Sequence, residues 1–204
     1  MINPDPIKIG AVVLAAGLSK RMGKPKMLLP WHASTVIEQV VLTLINAEVS
    51  PIVVVTGGAR ADVEKAIQKY AVLPVFNPQY QNGEMLNSLQ IGLENLGPEV
   101  EAALIVLGDQ PKIEERVVRK IRDIYLTDKP EIIVPSFQMR RGHPWIVARS
   151  LWPQIIALSL PQNLRDFLAH HQQQIRYVDV DTASILMDLD TPEDYIKQSQ
   201  ASDT

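Results

Sequence analysis

Short runs of apolar residues recur along the chain, and each run is bounded by residues that favour turns. The runs are apolar throughout and do not alternate with polar residues, which is typical of strands buried on both faces of a parallel sheet. The pattern therefore predicts parallel strands in the first two thirds of the chain, at residues 9–14, 52–55, 73–76, 102–107 and 132–134.

Between these strands, apolar residues repeat at the spacing of a helix that buries one face. The first such segment follows Ser34 and Thr35, and one of these two residues is expected to cap it. Its apolar positions are Val36, Ile37, Val40, Val41, Leu44 and Ile45. Similar segments predict helices at residues 61–70, 82–96 and 114–126. The alternation of strands and helices predicts an α/β fold with a doubly wound, mostly parallel sheet.

The order of elements changes after residue 134. Residues 140–147 predict a turn and a strand, followed by two short helices, a strand at 175–180 and a last helix. We expect this C-terminal part to add a small antiparallel edge to the sheet and to close a pocket. No repeat or long linker divides the sequence, so we expect one domain over residues 1–204, with a core at about 8–198.

The composition is that of an ordinary globular protein, with 46% hydrophobic and 21% charged residues. The net charge of -3 gives no overall positive field, which argues against nucleic acid as a partner. The chain has no cysteine, which excludes disulfides, thiolate metal sites and cysteine nucleophiles. The first residues lack the apolar segment of a signal peptide, and no run reaches transmembrane length. We therefore expect a cytoplasmic protein with no membrane partner.

The loop after the first strand is the first candidate for chemistry. In parallel sheets, ligands bind at the carboxyl ends of the strands, and this loop commonly holds phosphate. The small residues Ala15, Ala16 and Gly17 let the backbone approach a ligand, and successive N–H groups can form an anion-binding nest. Arg21 and Lys26 add positive charge. The loop thus predicts a phosphate site, although the same composition also suits a solvated turn.

This loop does not match the two common nucleotide motifs. Gly17 and Gly23 are one residue too far apart for a P-loop, and Pro25 stands where a P-loop needs Ser or Thr. The loop also lacks the G-x-G-x-x-G pattern of dinucleotide-binding proteins. These departures argue against a P-loop ATPase and against a dinucleotide-dependent oxidoreductase.

Asp109 follows the predicted strand at 102–107, so its carboxylate is expected at the same sheet edge as the opening loop. A carboxylate there suits Mg2+, which could bridge phosphate oxygens. An Asp after a strand also commonly serves as a turn or cap residue.

Taken together, five motifs in order resemble the MobA-like nucleotidyltransferases, over about residues 9–197. The first is Leu14-Ala15-Ala16-Gly17-x-Ser19-x-Arg21-Met22-Gly23-x-x-Lys26. The others are Asn77-Pro78 with Tyr80, Gly83, Ser88 and Gly92-Leu93; Gly108-Asp109-Gln110-Pro111; Arg141-Gly142-His143-Pro144; and Asp188-Leu189-Asp190-Thr191-Pro192-Glu193-Asp194-Tyr195. The branch that they resemble is the molybdenum cofactor cytidylyltransferases.

The resemblance implies a Rossmann-like nucleotidyltransferase fold and a Mg2+-dependent reaction. It implies transfer of CMP from CTP to the phosphate of molybdopterin, the organic part of the molybdenum cofactor. Pyrophosphate is released and molybdopterin cytosine dinucleotide is formed, which a molybdenum hydroxylase apoenzyme would receive as a partner. Relatives that transfer GMP usually carry a second glycine where this chain has Ala16, so the resemblance favours cytosine.

The resemblance also implies roles for individual residues. The implied catalytic residues are Arg21, Lys26 and Asp109. The implied nucleotide-binding residues are Leu14, Ala15, Ala16, Gly17, Ser19, Arg21, Gly23, Lys26, Ser88 and Gly108.

Asp109 and Asp190 are the implied metal ligands. For Asp190 two alternatives stay open, since Asp188 could replace it and since residues 190–194 also read as the start of a helix. Arg141 and His143 are implied at the acceptor, although a solvated arginine and a packed turn histidine are equally ordinary.

Two other functions remain open. One is nucleotidyl transfer to a sugar phosphate or an alcohol phosphate, because enzymes of that kind share the opening loop and the metal Asp. The other is a noncatalytic carrier or chaperone of the molybdenum cofactor. Retention of both Lys26 and Asp109 argues against the carrier, because a binder needs no leaving-group machinery.

Overall fold

The computed structural model describes residues 7–82 and 85–200. Its strands are β1 (Lys8–Ala15), β2 (Pro30–Trp31), β3 (Ser34–Thr35), β4 (Ile52–Thr56), β5 (Leu73–Phe76), β6 (Val100–Leu107), β7 (Ile132–Phe137), β8 (Arg140–Arg141), β9 (Trp145–Ala148) and β10 (Ile175–Asp179). Its α-helices are α1 (Val36–Asn46), α2 (Arg60–Ile67), α3 (Met85–Glu94), α4 (Glu115–Asp128), α5 (Trp152–Ile156), α6 (Leu164–His170) and α7 (Pro192–Gln200). The predicted strands and helices are confirmed, with ends that differ by a few residues.

The central sheet has the strand order β10-β7-β9-β6-β1-β4-β5, and β8 pairs with β7 outside that path. The pairs β1–β4, β1–β6, β4–β5 and β7–β10 are parallel. β9 is antiparallel to both of its neighbours, β6 and β7. The fold is therefore the expected α/β class with a mostly parallel sheet.

The position of the antiparallel strand differs from the expected edge. After β7 the chain reverses through Gln138 and Met139, whose φ angles of 49° and 63° lie in the left-handed region. The returning strand β9 then occupies the space between β7 and β6, inside the sheet. The edge strand β10 is instead parallel to its neighbour. Sequence pattern gives the direction of β9 through the short turn, whereas its place between two strands depends on long-range pairing.

Helices cover both faces of the sheet because alternate residues of β1 point to opposite sides. Val13 packs in a core with α1, α2 and α4, including Ile37 and Ile121. Val12 packs on the other side with α3, α5 and α6, including Leu89. The sheet is thus buried between two apolar layers, which explains why its strands are apolar throughout.

Gly92 sets the distance between α3 and the sheet. A Cβ at this position would overlap the side chain of Val12 in β1. Glycine therefore lets the helix backbone approach the strand closely. This approach fixes the position of the N-terminal part of α3, which contributes to the site below.

A small third cluster joins the opening loop to the end of the chain. Met22, Trp31, Val36 and Leu189 are buried together, and Tyr195 packs against them. The Tyr195 hydroxyl donates a hydrogen bond to the carbonyl of Pro30 (2.7 Å). These contacts hold the segment before α7 against the opening loop.

In the part of the chain that the structure covers, every helix is too short or too polar to cross a bilayer.

Candidate active site

A cavity of about 520 Å³ lies at the carboxyl edge of β1 and β6. The opening loop, the 80–82 turn, the start of α3 and the segment before α7 enclose it. Its lining includes Leu14, Ala16, Gly17, Leu18, Ser19, Lys20, Arg21, Lys26, Met27, Tyr80, Gln81, Met85, Ser88, Leu107, Asp109, Asp188 and Asp190. The fold thus brings four of the five motifs to one cavity or its immediate border.

The opening loop is closed by hydrogen bonds of its own. The N–H groups of Met22 and Gly23 both donate to the carbonyl of Ser19 (3.0 and 3.2 Å). The Ser19 hydroxyl accepts from the backbone N–H of Lys26 (3.1 Å), which ties the two ends of the turn together. Gly23 has a φ of 67°, a conformation that glycine adopts without strain. These hydrogen bonds within the loop define its shape, and the loop points the Lys26 side chain into the cavity.

Two cations and two carboxylates meet in the cavity. The Lys26 ammonium contacts Oδ2 of Asp109 and lies 3.4 Å from Oδ1 of Asp190. Arg21 Nη2 lies 2.9 Å from the other carboxylate oxygen, Oδ2 of Asp190. The Lys26–Asp109 pair is well shielded, whereas Arg21 is largely exposed. Residues far apart in sequence thus form one alternating chain of charges.

Burial raises the pKa of the Asp109 carboxyl above its ordinary value. The ammonium of Lys26 opposes this rise, and the nearby negative charge of Asp188 adds to it. Burial thus disfavours the charged form of Asp109, and the neighbouring ammonium of Lys26 favours it. A carboxylate in this situation readily accepts a cation of higher charge.

The segment before α7 separates the helix cap from the carboxylate of Asp190, while Asp188 also lines the cavity. The N-terminal cap of α7 consists of Thr191 and Asp194: the Thr191 N–H donates to Asp194 Oδ2 (3.0 Å) and the Asp194 N–H donates to Thr191 Oγ1 (3.2 Å). The backbone of Asp190 also contacts the Asp194 carboxylate, but the Asp190 side chain takes no part in the cap and faces the two cations. The helix start and the cavity carboxylate are therefore neighbouring but distinct features.

The motif at 108–111 is locked to the same segment. The carbonyl of Asp109 accepts from the N–H of Leu189 (3.0 Å). The buried Gln110 amide donates to Oδ1 of Asp188 (3.3 Å) and to the carbonyl of Ile185 (3.5 Å). Gln110 was predicted only as a motif match, and the structure shows that it holds Asp188 at the cavity border.

The carboxylates of the cavity suit a divalent cation that takes only some of its ligands from the protein. Among the described residues, no group of three His, Asp or Glu side chains could enclose a metal ion. Asp109 and Asp190 contact one shared ammonium group, so both carboxylates reach a common point. Mg2+ is commonly bound by one or two carboxylates, with phosphate oxygens and water completing the shell. These two aspartates would hold such an ion, which would neutralise phosphate charge.

Several predicted nucleotide residues lie just outside the cavity lining. Ala15 points into the opposite apolar layer. Gly108 donates its N–H to the carbonyl of Leu14 (3.1 Å), and a Cβ there would press on that carbonyl and on Met27. Gly23 borders a smaller adjoining pocket, and Gly83 lies outside the described residues. Ala15 and Gly108 shape the backbone beneath the cavity.

Arg141 and His143 do not line this cavity. The Arg141 guanidinium lies 5.1 Å from the centre of the Tyr177 ring and is exposed. His143 stacks on Trp145 with ring centres 4.5 Å apart, and burial lowers the pKa of His143 from 6.5 to about 4. Both residues follow β7, whose carboxyl end is at the same edge of the sheet as β1 and β6. Their proposed contact with the acceptor stays a prediction.

A larger groove, of about 940 Å³, runs between α1, the start of α4 and residues 181–187. Its lining includes Pro111 of the third motif but none of the catalytic, nucleotide-binding, acceptor or metal residues implied by the resemblance. We therefore identify the candidate site by the charged residues that line the smaller cavity, and not by the volume of the cavity.

Comparison with known proteins places the chain in a family. The model of the MobA-like NTP transferase domain matches residues 11–175, which is most of the chain. The molybdenum cofactor cytidylyltransferase of Escherichia coli (strain K12) is 29% identical over 189 residues, covering 92% of this chain and 94% of that protein. The nicotine blue oxidoreductase of Paenarthrobacter nicotinovorans is 26% identical over 197 residues, covering 91% and 93%.

Solved structures agree with the fold. Rv0371c from Mycobacterium tuberculosis H37Rv superposes with a TM-score of 0.85 and 27% identity, covering 96% of this chain and 99% of that one. The same protein was also solved in complex with manganese, with a TM-score of 0.78 and 26% identity over 95% of this chain and 99% of that one.

Proposed function

Because the chain belongs to the family of MobA-like NTP transferase domains and is an enzyme of the nucleotidyltransferase type, we propose that it transfers CMP from CTP to the phosphate of molybdopterin. The reaction forms molybdopterin cytosine dinucleotide and releases pyrophosphate. The E. coli cytidylyltransferase matches nearly the whole chain, which supports a role in molybdenum cofactor metabolism. Ala16, at the position where relatives that transfer GMP usually carry a second glycine, supports cytosine.

The observation that carries the proposal is the cluster of Lys26, Asp109, Asp190 and Arg21 beside the opening loop. In the reaction, an oxygen of the acceptor phosphate attacks the α-phosphorus of the triphosphate. The bond from that phosphorus to the bridging oxygen breaks, and the bonding electrons leave with pyrophosphate. Catalysis of this kind depends mainly on positioning and on neutralising charge.

Each member of the cluster has a part that suits this reaction. Lys26 and Arg21 would bind the β- and γ-phosphates and stabilise the departing pyrophosphate. Asp109 and Asp190 would hold a divalent cation, proposed to be Mg2+, that neutralises the phosphates when bound. The manganese complex of the similar mycobacterial protein supports a divalent ion in this fold. Release of Lys26 from the carboxylates on binding of the cation would free its ammonium for the phosphates.

The acceptor is proposed to bind at the sheet edge beyond the charge cluster. Arg141 and His143 stay proposed acceptor contacts, on the sheet edge that also carries the cavity. A molybdenum hydroxylase apoenzyme is the proposed recipient of the product. Transfer to a sugar phosphate or an alcohol phosphate is the alternative that the same charge cluster would serve.

The test is a screen of triphosphates and acceptors. Purified protein with Mg2+, CTP and molybdopterin should release pyrophosphate, and CTP should be used in strong preference to GTP. Omission of the divalent cation should abolish release, and its restoration should recover it. Release with a sugar phosphate but not with molybdopterin would select the alternative acceptor. No release with any triphosphate and any of these acceptors would contradict nucleotidyl transfer.

A further inference from the structure

One wall of the cavity carries no charged side chain among the residues described there. It consists of the 80–82 turn and the first part of α3, and it presents Tyr80, Gln81, Met85 and Ser88. In the proposed function the cationic loop binds the phosphates. The nucleotide base would then bind against the uncharged side chains of this wall. The inference below rests on that proposed function and concerns how the wall selects the base.

Ser88 is held by a residue behind the wall. Asn77 is almost fully buried, and its side-chain amide nitrogen donates to the Ser88 hydroxyl oxygen (3.0 Å). The amide oxygen of Asn77 accepts from the backbone N–H of Gln79 (2.8 Å). Because the Gln79 N–H can only donate, this second contact fixes which end of the amide faces Ser88.

The backbone of Asn77 is also engaged. Its N–H donates to the carbonyl of Thr56 at the end of β4 (2.9 Å), and its carbonyl accepts from the N–H of Tyr80 (3.3 Å). The Asn77 side chain therefore has a fixed position and a fixed orientation. Because every polar atom of Asn77 makes a hydrogen bond, its amide cannot turn over, and it can only donate to Ser88.

The consequence concerns the hydrogen of the Ser88 hydroxyl. The oxygen already accepts from Asn77, and no described residue accepts the hydroxyl hydrogen. Ser88 lines the cavity, so the hydrogen is available to a ligand there. The wall consequently offers a hydrogen-bond donor at this point.

We infer that Asn77 is a positioning residue that fixes the Ser88 hydroxyl as a donor and thereby favours a pyrimidine triphosphate over GTP. Cytosine carries acceptors at O2 and N3, which a donor can satisfy. Guanine carries N–H donors at N2 and N1 in the corresponding positions of its edge, and its acceptor O6 lies where cytosine has its amino group. To pair with those donors the hydroxyl must turn its hydrogen away and offer the one lone pair that Asn77 leaves free, which is the weaker arrangement. Asn77 acts through Ser88 and does not touch the ligand itself.

The variant Asn77→Asp tests this directly because it keeps the shape and reverses the polarity. The new carboxylate still accepts from the Gln79 N–H, and its second oxygen accepts from the Ser88 hydroxyl instead of donating to it. The hydroxyl lone pairs then face the cavity. We expect the ratio of CTP to GTP affinity, measured by calorimetry with Mg2+ and without any acceptor, to fall about tenfold.

Asn87→Asp is the matched control. Asn87 precedes Ser88 on the same helix, but its amide donates to the Gln79 side chain at the surface (2.8 Å). The control adds the same charge near the same wall and should leave the affinity ratio within about twofold of the wild type. A general effect of negative charge would lower the ratio in both variants and would overturn the inference.

Ser88→Ala supplies a second measurement if Asn77→Asp fails to fold. It removes the donor and should also lower the CTP to GTP ratio about tenfold, and adding Asn77→Asp to it should change the ratio no further. An unchanged ratio in folded Asn77→Asp or in Ser88→Ala overturns the inference, even if the wild type prefers CTP. A wild type that does not prefer CTP contradicts the proposed nucleotide instead, so the two failures are distinguishable.

Discussion

At the scale of single residues, Lys26 connects the two carboxylates of the candidate site. Lys26→Ala should lower turnover about a hundredfold, because the proposed stabilisation of the leaving pyrophosphate by its ammonium is lost. Pyrophosphate release at saturating CTP measures this effect. Lys24→Ala is the matched control, since Lys24 is exposed in the same loop and lies outside the cavity lining. Equal activity of the two variants would remove Lys26 from the reaction.

His143 provides a prediction on pH and stability. Its folded pKa of about 4 lies below the ordinary value of 6.5, so below pH 6.5 the unfolded chain binds a proton that the folded chain does not. The stability that depends on neutral His143 is present above pH 6.5 and is lost as the pH falls towards 4. Between pH 7.5 and pH 5 this loss should be about 1–2 kcal/mol.

The variant His143→Phe keeps an aromatic ring against Trp145 and removes the titration. Urea unfolding at pH 7.5 and pH 5 should therefore show a smaller loss of stability in this variant than in the wild type. His170→Phe, at an exposed position, serves as the control and should follow the wild type. If His143→Phe loses as much stability between the two pH values as the wild type, burial of a neutral His143 is not the cause.

The sequence allows some contacts of the candidate site to be predicted but not others, and the difference has a physical reason. Lys26 and Asp109 follow elements whose carboxyl ends share one edge, so their proximity was predictable from the fold class. The pairing of Arg21 with Asp190 depends on how the loop and the segment before α7 pack, which no local pattern encodes. Asn77 was predicted only as part of a motif, because its role lies in the orientation of one amide group.

At the scale of elements, the contact between α3 and β1 should be sensitive to a single methyl group. Gly92→Ala places a Cβ against Val12 and should destabilise the protein by about 1–3 kcal/mol, despite the better helix propensity of alanine. Chemical denaturation measures the free energy of unfolding. The double variant Val12→Ala with Gly92→Ala should be less destabilised than the sum of the two single variants, because the smaller side chain makes room. Strict additivity would show that the two residues do not press on each other.

The sequence pattern predicts where strands and helices lie, but not how every strand pairs in the sheet. Strands buried on both faces are read directly from apolar runs, and helices from their spacing, so most of both classes were predicted. The insertion of β9 between β6 and β7 was not, because any strand can pair with several neighbours and the choice is made by the whole sheet. Short strands such as β2 and β3 carry too few residues for a pattern.

At the scale of the whole molecule, the site is assembled from both ends of the described chain. The carbonyl of Asp109 accepts from Leu189, and the cluster of Met22, Trp31, Val36 and Leu189 holds the segment before α7 in place. The central sheet alone would supply Lys26 and Asp109 but not Asp190. Fold class therefore predicted that Lys26 and Asp109 lie at one edge of the sheet, whereas the complete charge cluster required the C-terminal contacts.

The contact between Lys26 and Asp190 spans 164 positions of sequence. During synthesis the opening loop emerges early, and the matching carboxylate follows only after 164 further residues have been made. Until then it cannot assemble the full charge cluster, however well its first strands have folded. Completion of the charge cluster is therefore a late event in the synthesis of each molecule, and a chain cut before Asp190 would keep the strands of the sheet while losing part of the cluster.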